Sequence, residues 1–309
     1  MDIGQLFTTA GNLIRHNPFL WLFGLLGVAA TSLVNLGMRL WLRPELVSWL
    51  ADPAAPLFSG PAGLIGFLII VLAIALLIWL LNMVAEGGLI FAVSELDAGR
   101  TLTGRDIRQA IRRTLVPFVA ADTLLFLPLF LLILLIVIGG TALFVAFVLG
   151  IERGNLDLQQ GLTLLGGGLL ACLLPLLCLA IPLLLATLLL RLFVFRAIAI
   201  DQAGVRESIR QAGQFVRHRP GPIILVFLLL WIIRLVINTI TGLLTGPLEL
   251  AALRPLLPIL TGETPLPESS PAVMVGGIIV SLIGFLVGSL LFVLAGSVWT
   301  LLYQQGKET

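Results

Sequence analysis

From Pro271 to Tyr303 the chain carries no charged residue. That run is longer than the ~20 residues a helix needs to cross the ~30 Å hydrocarbon core of a bilayer. It has two outlets, the interior of a large soluble fold or lipid, and composition decides between them. Of the 309 residues, 59% are hydrophobic and 11% charged, against about 25% charged in soluble domains. A soluble fold of this length needs more polar cover for its surface than that. Lipid removes the requirement, and a mean hydropathy of +1.13 fits it.

Five further runs have comparable length: Phe19 to Met38, Ala62 to Ala85, Pro117 to about Leu149, Leu162 to Leu190 and Pro222 to Thr245. The third is broken only by Asp122, and the fifth contains Arg234. Gly139-Gly140 offers a place to divide the third run into a span and a re-entrant piece. One long helix is expected instead, because the second piece would be too short to cross. The first run is too long for the apolar core of a signal peptide and follows an organised segment containing Asp2, so a retained helix is expected. Excess length in the longer runs is absorbed by tilt or projection beyond the bilayer.

Lys and Arg set the orientation. One side carries Arg15, Arg100, Arg105, Arg108, Arg112, Arg113, Arg196, Arg206, Arg210, Arg217, Arg219 and Lys307; the other carries Arg39, Arg43, Arg153 and Arg254. The first side, with both termini, is expected to be cytoplasmic, in a multi-pass protein of the plasma (cytoplasmic) membrane. A net charge of +2 leaves no broad basic surface for nucleic acid.

A phrase recurs along the chain. Residues 10–18 read Ala-Gly-Asn-Leu-Ile-Arg-His-Asn-Pro and residues 212–220 read Ala-Gly-Gln-Phe-Val-Arg-His-Arg-Pro, with five of nine positions identical. A degraded copy runs from Gln109 to Pro117. Each copy lies in a short segment with apolar residues at helical spacing: Ile3, Leu6, Phe7, Ala10, Leu13 and Ile14; Ile107, Ala110, Ile111 and Leu115; Val205, Ile209, Ala212 and Val216. Pro18, Pro117 or Pro220 then ends the segment and opens the next helix. The expected fold is therefore all-α and integral to the membrane, a single domain over 1–309. Six transmembrane helices form three tandem hairpin repeats, 1–100, 101–203 and 204–309, each preceded by a cytoplasmic amphipathic interfacial helix. Arg105, Arg108, Arg112, Arg113, Arg206, Arg210, Arg217 and Arg219 would face anionic lipid headgroups, at roughly 1 kcal/mol each.

Polar residues inside the spans are the candidate sites. Arg234 is near the midpoint of the uncharged run from Arg219 to Glu249, and Asn238, Thr241 and Thr245 follow on the same helix face. An intramembrane charge is a functional-site hypothesis by default: the stripe lines either an anion pathway or a helix-packing face. Superposing the repeats puts Asp122 and Arg234 nine residues apart in depth, ~13 Å, too far to pair directly. Aligning Asp97-Ala98-Gly99 with Gln202-Ala203-Gly204 instead puts Glu86 opposite Arg191 as a candidate ion pair. Gly277, Ser281, Gly284 and Gly288 form a stripe of small residues, a candidate helix-packing seam. Pro128, Pro175 and Pro182 are expected to kink their helices.

The connections 39–61, 150–161 and 246–270 are expected on the far side, with Trp41 and Trp49 at the interface. Cys172 and Cys178, six apart in an apolar run, read as small buried hydrophobes rather than a disulfide or metal pair. With His16 and His218 the only histidines, no metal site is expected. The sequence has no HExxH, GxSxG or Walker pattern, and Gly166-Gly167-Gly168 lies in an apolar run, so neither catalytic residues nor a cofactor are expected.

The opening Arg-His-Asn-Pro-Phe-Leu-Trp-Leu-Phe-Gly-Leu-Leu resembles that of bacterial multi-pass membrane proteins of uncharacterised function. The phrase at 196–212, Arg-Ala-Ile-Ala-Ile-Asp-Gln-Ala-Gly-Val-Arg-Glu-Ser-Ile-Arg-Gln-Ala, is similar to one in the membrane domain attached to some glycerophosphodiester phosphodiesterases. The catalytic barrel of those enzymes is absent from these residues, so the resemblance implies a membrane module and carries over no hydrolase activity. The leading expectation is a non-catalytic scaffold that associates with lipids, with a membrane-protein partner or with further copies of itself. The alternative is a small-solute or anion transporter or channel using the Arg234 stripe, and a third is an intramembrane enzyme built on Glu86, Asp122 and Arg191.

Overall fold

A computed structural model describes residues 2–37, 61–152, 158–253 and 271–308. Most of the far-side connections, with Arg39, Arg43, Trp41, Trp49, Arg153 and Arg254, lie outside the described residues. The described chain is all-α. In order, the helices are α1 (Ile3–His16), α2 (Leu20–Gly37), α3 (Pro61–Asp97), α4 (Gly104–Glu152), α5 (Leu158–Asp201), α6 (Val205–His218), α7 (Pro220–Leu253) and α8 (Pro271–Glu308). Six of them, all but α1 and α6, are long and apolar enough to cross a membrane.

Local chemistry sets the ends. Asp2 caps α1, its Oδ1 accepting from the N–H groups of Gly4 (2.8 Å) and Gln5 (3.4 Å). Thr103 and Asp106 close a reciprocal capping box on α4: the Asp106 N–H donates to Thr103 Oγ1 and the Thr103 N–H to Asp106 Oδ2. After α3, Gly99 takes a left-handed conformation (φ 70°), and the Arg100 N–H closes the turn onto the Glu95 carbonyl. After α5 the left-handed position falls on Gln202 (φ 52°), where a side chain is strained.

Pro117 does not end a helix. It lies inside α4, which runs unbroken through Pro117, Pro128 and Gly139-Gly140. A proline at 117 withholds one N–H from the Arg113 carbonyl. Arg113 is exposed, and the helix continues past the missing bond. Pro18 and Pro220 behave as expected: α1 stops at His16, and α6 gives way to α7 at Pro220.

The chain forms two compact units, 1–115 with 219–309, and 116–218. Their boundaries differ from those of the sequence repeats. In the first unit α8 packs against α1, α2, α3 and α7. Its core is Leu6, Ala10 and Ile14 of α1, Leu20 and Phe23 of α2, Met83, Leu89 and Val93 of α3, and Val293, Trp299 and Tyr303 of α8. In the second unit α6 packs against α5, with Phe118, Ala121, Phe193, Phe195 and Ala212 buried. The apolar stripes of α1 and α6 thus bury Leu6, Ala10, Ile14 and Ala212 inside the protein. The sequence reading had those stripes facing lipid, and at these positions protein takes its place.

Away from these cores the spans are exposed and apolar, as at Leu68 to Leu72 of α3, Phe130 to Leu135 of α4 and Leu243-Leu244 of α7. In water such surface would be prohibitive. In hydrocarbon it costs nothing, because the backbone is satisfied within each helix and lipid is as apolar as leucine.

Candidate functional site

The second unit holds an organised polar contact. Phe118 and Asp122 lie one turn apart on α4, and Arg191 and Phe195 one turn apart on α5. The two pairs meet. Arg191 Nε donates to Asp122 Oδ1 at 2.6 Å, and the Phe118 and Phe195 rings stack with centroids 4.2 Å apart and planes 12° from parallel. The Arg191 guanidinium also lies over the Phe195 ring, 4.5 Å from its centroid. The Asp122 side chain is 6% exposed and that of Arg191 21%. A buried carboxylate needs such a charge-assisted bond, because desolvation without one is costly. Arg191 thus has a partner that the sequence reading did not give it. Glu86 of α3, also expected to pair there, is half-buried.

Arg196 is a second site residue that sequence reasoning missed. Counted as a cytoplasmic loop charge, it instead lies in α5 with 1% exposure, the largest fully buried side chain described. Its Nη1 donates to the Leu192 carbonyl. The available signal was the spacing Arg191, Phe195, Arg196, a charge–aromatic pair followed at once by a second charge inside an apolar stretch. Behind it, Phe193 meets Phe215 of α6 at 4.8 Å, which fixes α6 against α5. Ser208 of α6 is buried, with its hydroxyl donating to the Gly204 and Ala203 carbonyls.

The basic residues of the two short segments are on the surface. Arg105, Arg108, Arg112 and Arg113 are exposed on the first turns of α4, as are Arg206, Arg210 and Arg217 on α6; Arg219 is half-buried. Of these arginines only Arg210 is paired among the described residues: its Nη2 donates to Glu207 Oε1 at 2.9 Å. That bond holds the Glu207 carboxyl below the usual carboxylate range and raises Arg210.

The Arg234 stripe is split. Arg234 and Asn238 are exposed, Thr241 is half-buried, and Thr245 is buried with its hydroxyl donating to the Thr241 carbonyl. The four share one face of α7, which is open at Arg234 and Asn238 and packed at Thr245.

The small-residue stripe of α8 is open at two of its four positions, and Ser281 is half-buried with its hydroxyl oxygen covered. A Cβ on Gly277 or Gly284 would meet nothing within 4 Å, and only Gly288 sits at a close approach, 3.1 Å from Val28. The tight helix contacts of the first unit lie at other glycines. A Cβ on Gly24 would stand 2.5 Å from the Ser289 carbonyl oxygen and one on Gly27 2.8 Å from Phe292. Gly88 is covered by Phe23 and Gly296 by Leu89. Of the two cysteines, Cys178 is free and exposed. Among the described residues no three His, Cys, Asp or Glu side chains are grouped to hold a metal ion.

All-α architecture, six helices of spanning length and uncovered apolar faces are the make-up of a multi-pass membrane protein. Within that class, the chain belongs to a family described as a domain of unknown function, DUF7847, which matches residues 1–305. Comparison with curated proteins and with solved structures finds no match.

Proposed function

We propose that this protein is a non-catalytic membrane scaffold module whose basic surface, taken as cytoplasmic, binds anionic lipid headgroups. The observation that carries this reading is the state of the arginines. Arg105, Arg108, Arg112 and Arg113 are exposed and, among the described residues, unpaired. Arg105, Arg108 and Arg112 share one helix face at i, i+3 and i+7, with Arg113 beside it. They precede the apolar run of α4 directly, and so stand where a span enters the headgroup layer. At about 1 kcal/mol per basic residue, four of them favour an anionic over a neutral leaflet by up to ~4 kcal/mol, with salt reducing the figure.

The placing of α1 on α8 and of α6 on α5 suits a scaffold. Each short helix spends apolar residues on protein contact and leaves its charges outside. The repeat, the cytoplasmic side of both termini and the plasma-membrane location are parts of the same proposal. So is kinship with the membrane domain of the phosphodiesterases. The transport alternative needs Arg234 to line a water-filled path through the chain. Its exposure beside Trp231, Ile232, Leu235 and Val236, all exposed, favours an outward helix face instead.

The test is lipid selectivity. The purified protein, exchanged into nanodiscs of mixed phosphatidylcholine and phosphatidylglycerol, should enrich the anionic lipid around itself. Replacing Arg105, Arg108, Arg112 and Arg113 together by glutamine should remove most of that enrichment. Enrichment unchanged in the folded variant refutes the reading. A second measurement covers topology: cysteines at 104 and 207 should react from the cytoplasmic side, and the opposite pattern inverts the orientation.

A further inference from the structure

Arg234 lies fourteen residues past Pro220 and thirteen before Pro247 in a span that runs between them. At 1.5 Å per residue it is ~20 Å of helix from either end. A guanidinium at that depth is too far inside for its stem to carry it to the headgroups, and lipid offers it no acceptor. Yet it is exposed, and among the described residues it makes no hydrogen bond or ion pair. Its neighbours one turn away share the condition. Trp231 is exposed, at a depth where tryptophan is unusual, and its indole N–H has no acceptor among the described residues. Asn238 is exposed, with an amide that neither donates nor accepts there.

Three side chains with unmet polar groups therefore lie on adjoining turns of one helix, framed by exposed Leu235 and Val236. Trp and Arg are the residues that dominate interface energetics, and Asn bonds across helices in membranes. Within its unit α7 packs mainly on α8, with Ile223 and Val226 buried near its start and Thr245 toward its end. Between them, Trp231, Arg234 and Asn238 stay open.

The charge selects the occupant. A cation at mid-membrane is neutralised by a carboxylate at the same depth. A second copy of this chain has none to give. The acidic residues of its described spans are Glu86, Glu95, Asp97, Asp106, Asp122 and Asp201; Glu95, Asp97, Asp106 and Asp201 stand at span ends, and only Glu86 and Asp122 lie further in. Glu86 is two residues from Gly88, which touches Phe23 near the start of α2, so it is close to the entry of its span. Asp122 is five residues past Pro117 and is held by Arg191. A symmetric dimer through α7 would bring two guanidiniums together, which is repulsive.

We propose that the face of α7 formed by Trp231, Arg234 and Asn238 docks a transmembrane helix of another protein that carries an aspartate or glutamate near its own midpoint. This deepens the scaffold reading and rests on it, by naming what the scaffold holds. The carboxylate accepts from the guanidinium, Asn238 bonds the partner backbone or a polar side chain, and Trp231 covers the pair.

The test uses full-length protein in phosphatidylcholine nanodiscs, where no anionic lipid contributes, and three synthetic leucine-rich transmembrane peptides. One carries a central aspartate, one carries aspartate near an end, and one carries none. The central-aspartate peptide should bind at least tenfold more tightly than the others. Arg234→Leu should abolish the preference, Arg234→Lys should keep part of it, and Arg234→Asp should transfer it to a peptide with a central lysine. Retention of folded protein on size exclusion validates each variant. Equal binding of the three peptides overturns the proposal, as does a preference that survives Arg234→Leu. Self-association that Arg234→Leu dissolves overturns it in favour of a second copy. Peptide selectivity lost while anionic-lipid enrichment persists refutes this docking face alone. Enrichment lost while peptide selectivity persists refutes the headgroup reading alone.

Discussion

Replacing Asp122 with leucine removes the carboxylate that accepts from Arg191 Nε at 2.6 Å and leaves the guanidinium in a site where it is 21% exposed. Removing one member of a buried pair costs about 3–5 kcal/mol, because the remaining charge loses its compensation. Two features of the site place the cost near the lower bound. Arg191 keeps some exposure, and it lies 4.5 Å from the Phe195 centroid, a cation–π contact worth ~0.5–2 kcal/mol. About 3 kcal/mol is expected, roughly two orders of magnitude in the folding equilibrium. Arg191→Leu should cost at least as much, since it strands a carboxylate that is only 6% exposed.

The double variant Asp122→Leu/Arg191→Leu separates charge pairing from packing. With both charges gone this contact becomes apolar, and replacing a buried pair by apolar residues is often close to neutral. The double variant should therefore be more stable than either single one. Equilibrium unfolding in bicelles, by steric trapping or by titration with a denaturing detergent, gives the three free energies. Hydrogen bonds between membrane helices average about 0.6 kcal/mol in such cycles. Single-variant costs that add to within that figure would refute the claim that Asp122 and Arg191 act as a unit.

Further substitutions probe other contacts. Gly24→Leu drives a side chain into the Ser289 carbonyl and should cost at least the ~1–3 kcal/mol of overpacking, whereas Gly284→Leu, in open space, should leave monomer stability unchanged; the same unfolding assay reads both. Gly288→Leu should fall between them, since its nearest neighbour is a Val28 methyl at 3.1 Å. Gln202→Gly relieves a left-handed backbone and should stabilise by about 1 kcal/mol in the same unfolding assay; no gain contradicts the strain argument. The Glu207–Arg210 pair sets a pH dependence. A carboxyl held below its unfolded value of about 4.3 stabilises the fold above that pH and loses the contribution as pH falls through the lowered value. The Tm difference between wild type and Glu207→Gln should be small, since the pair is exposed, and should close on acidification; a difference that grows in acid contradicts the sign.

The spans were legible because lipid imposes a rule that each run obeys separately: enough apolar residues in a row, with the charges left to the connections. What the sequence hid depends on which helix faces which. The pairing of Arg191 with Asp122 is one case. Repeat alignment offered Glu86 and gave no sign of Asp122, whose contact follows from a complementary order, Phe118 then Asp122 going up α4 and Arg191 then Phe195 coming down α5, so that like meets like and charge meets charge across an antiparallel hairpin. The small-residue seam is another. Gly277, Ser281, Gly284 and Gly288 have the spacing of a packing stripe, yet a glycine matters only where something large or a backbone stands opposite, and Ser289, Phe292, Phe23 and Leu89 stand opposite Gly24, Gly27, Gly88 and Gly296. Pro117 shows the same limit for local rules: α4 continues through it, at the cost of one bond to the exposed turn at Arg113. Arg234 is the converse. Its depth and isolation were readable from the spacing to Arg219 and Glu249, but a pathway and a packed face predicted the same string of residues. Only its exposure beside Trp231 and Asn238 turns an intramembrane arginine into an argument about a partner, because an uncompensated charge facing lipid is the state least able to persist.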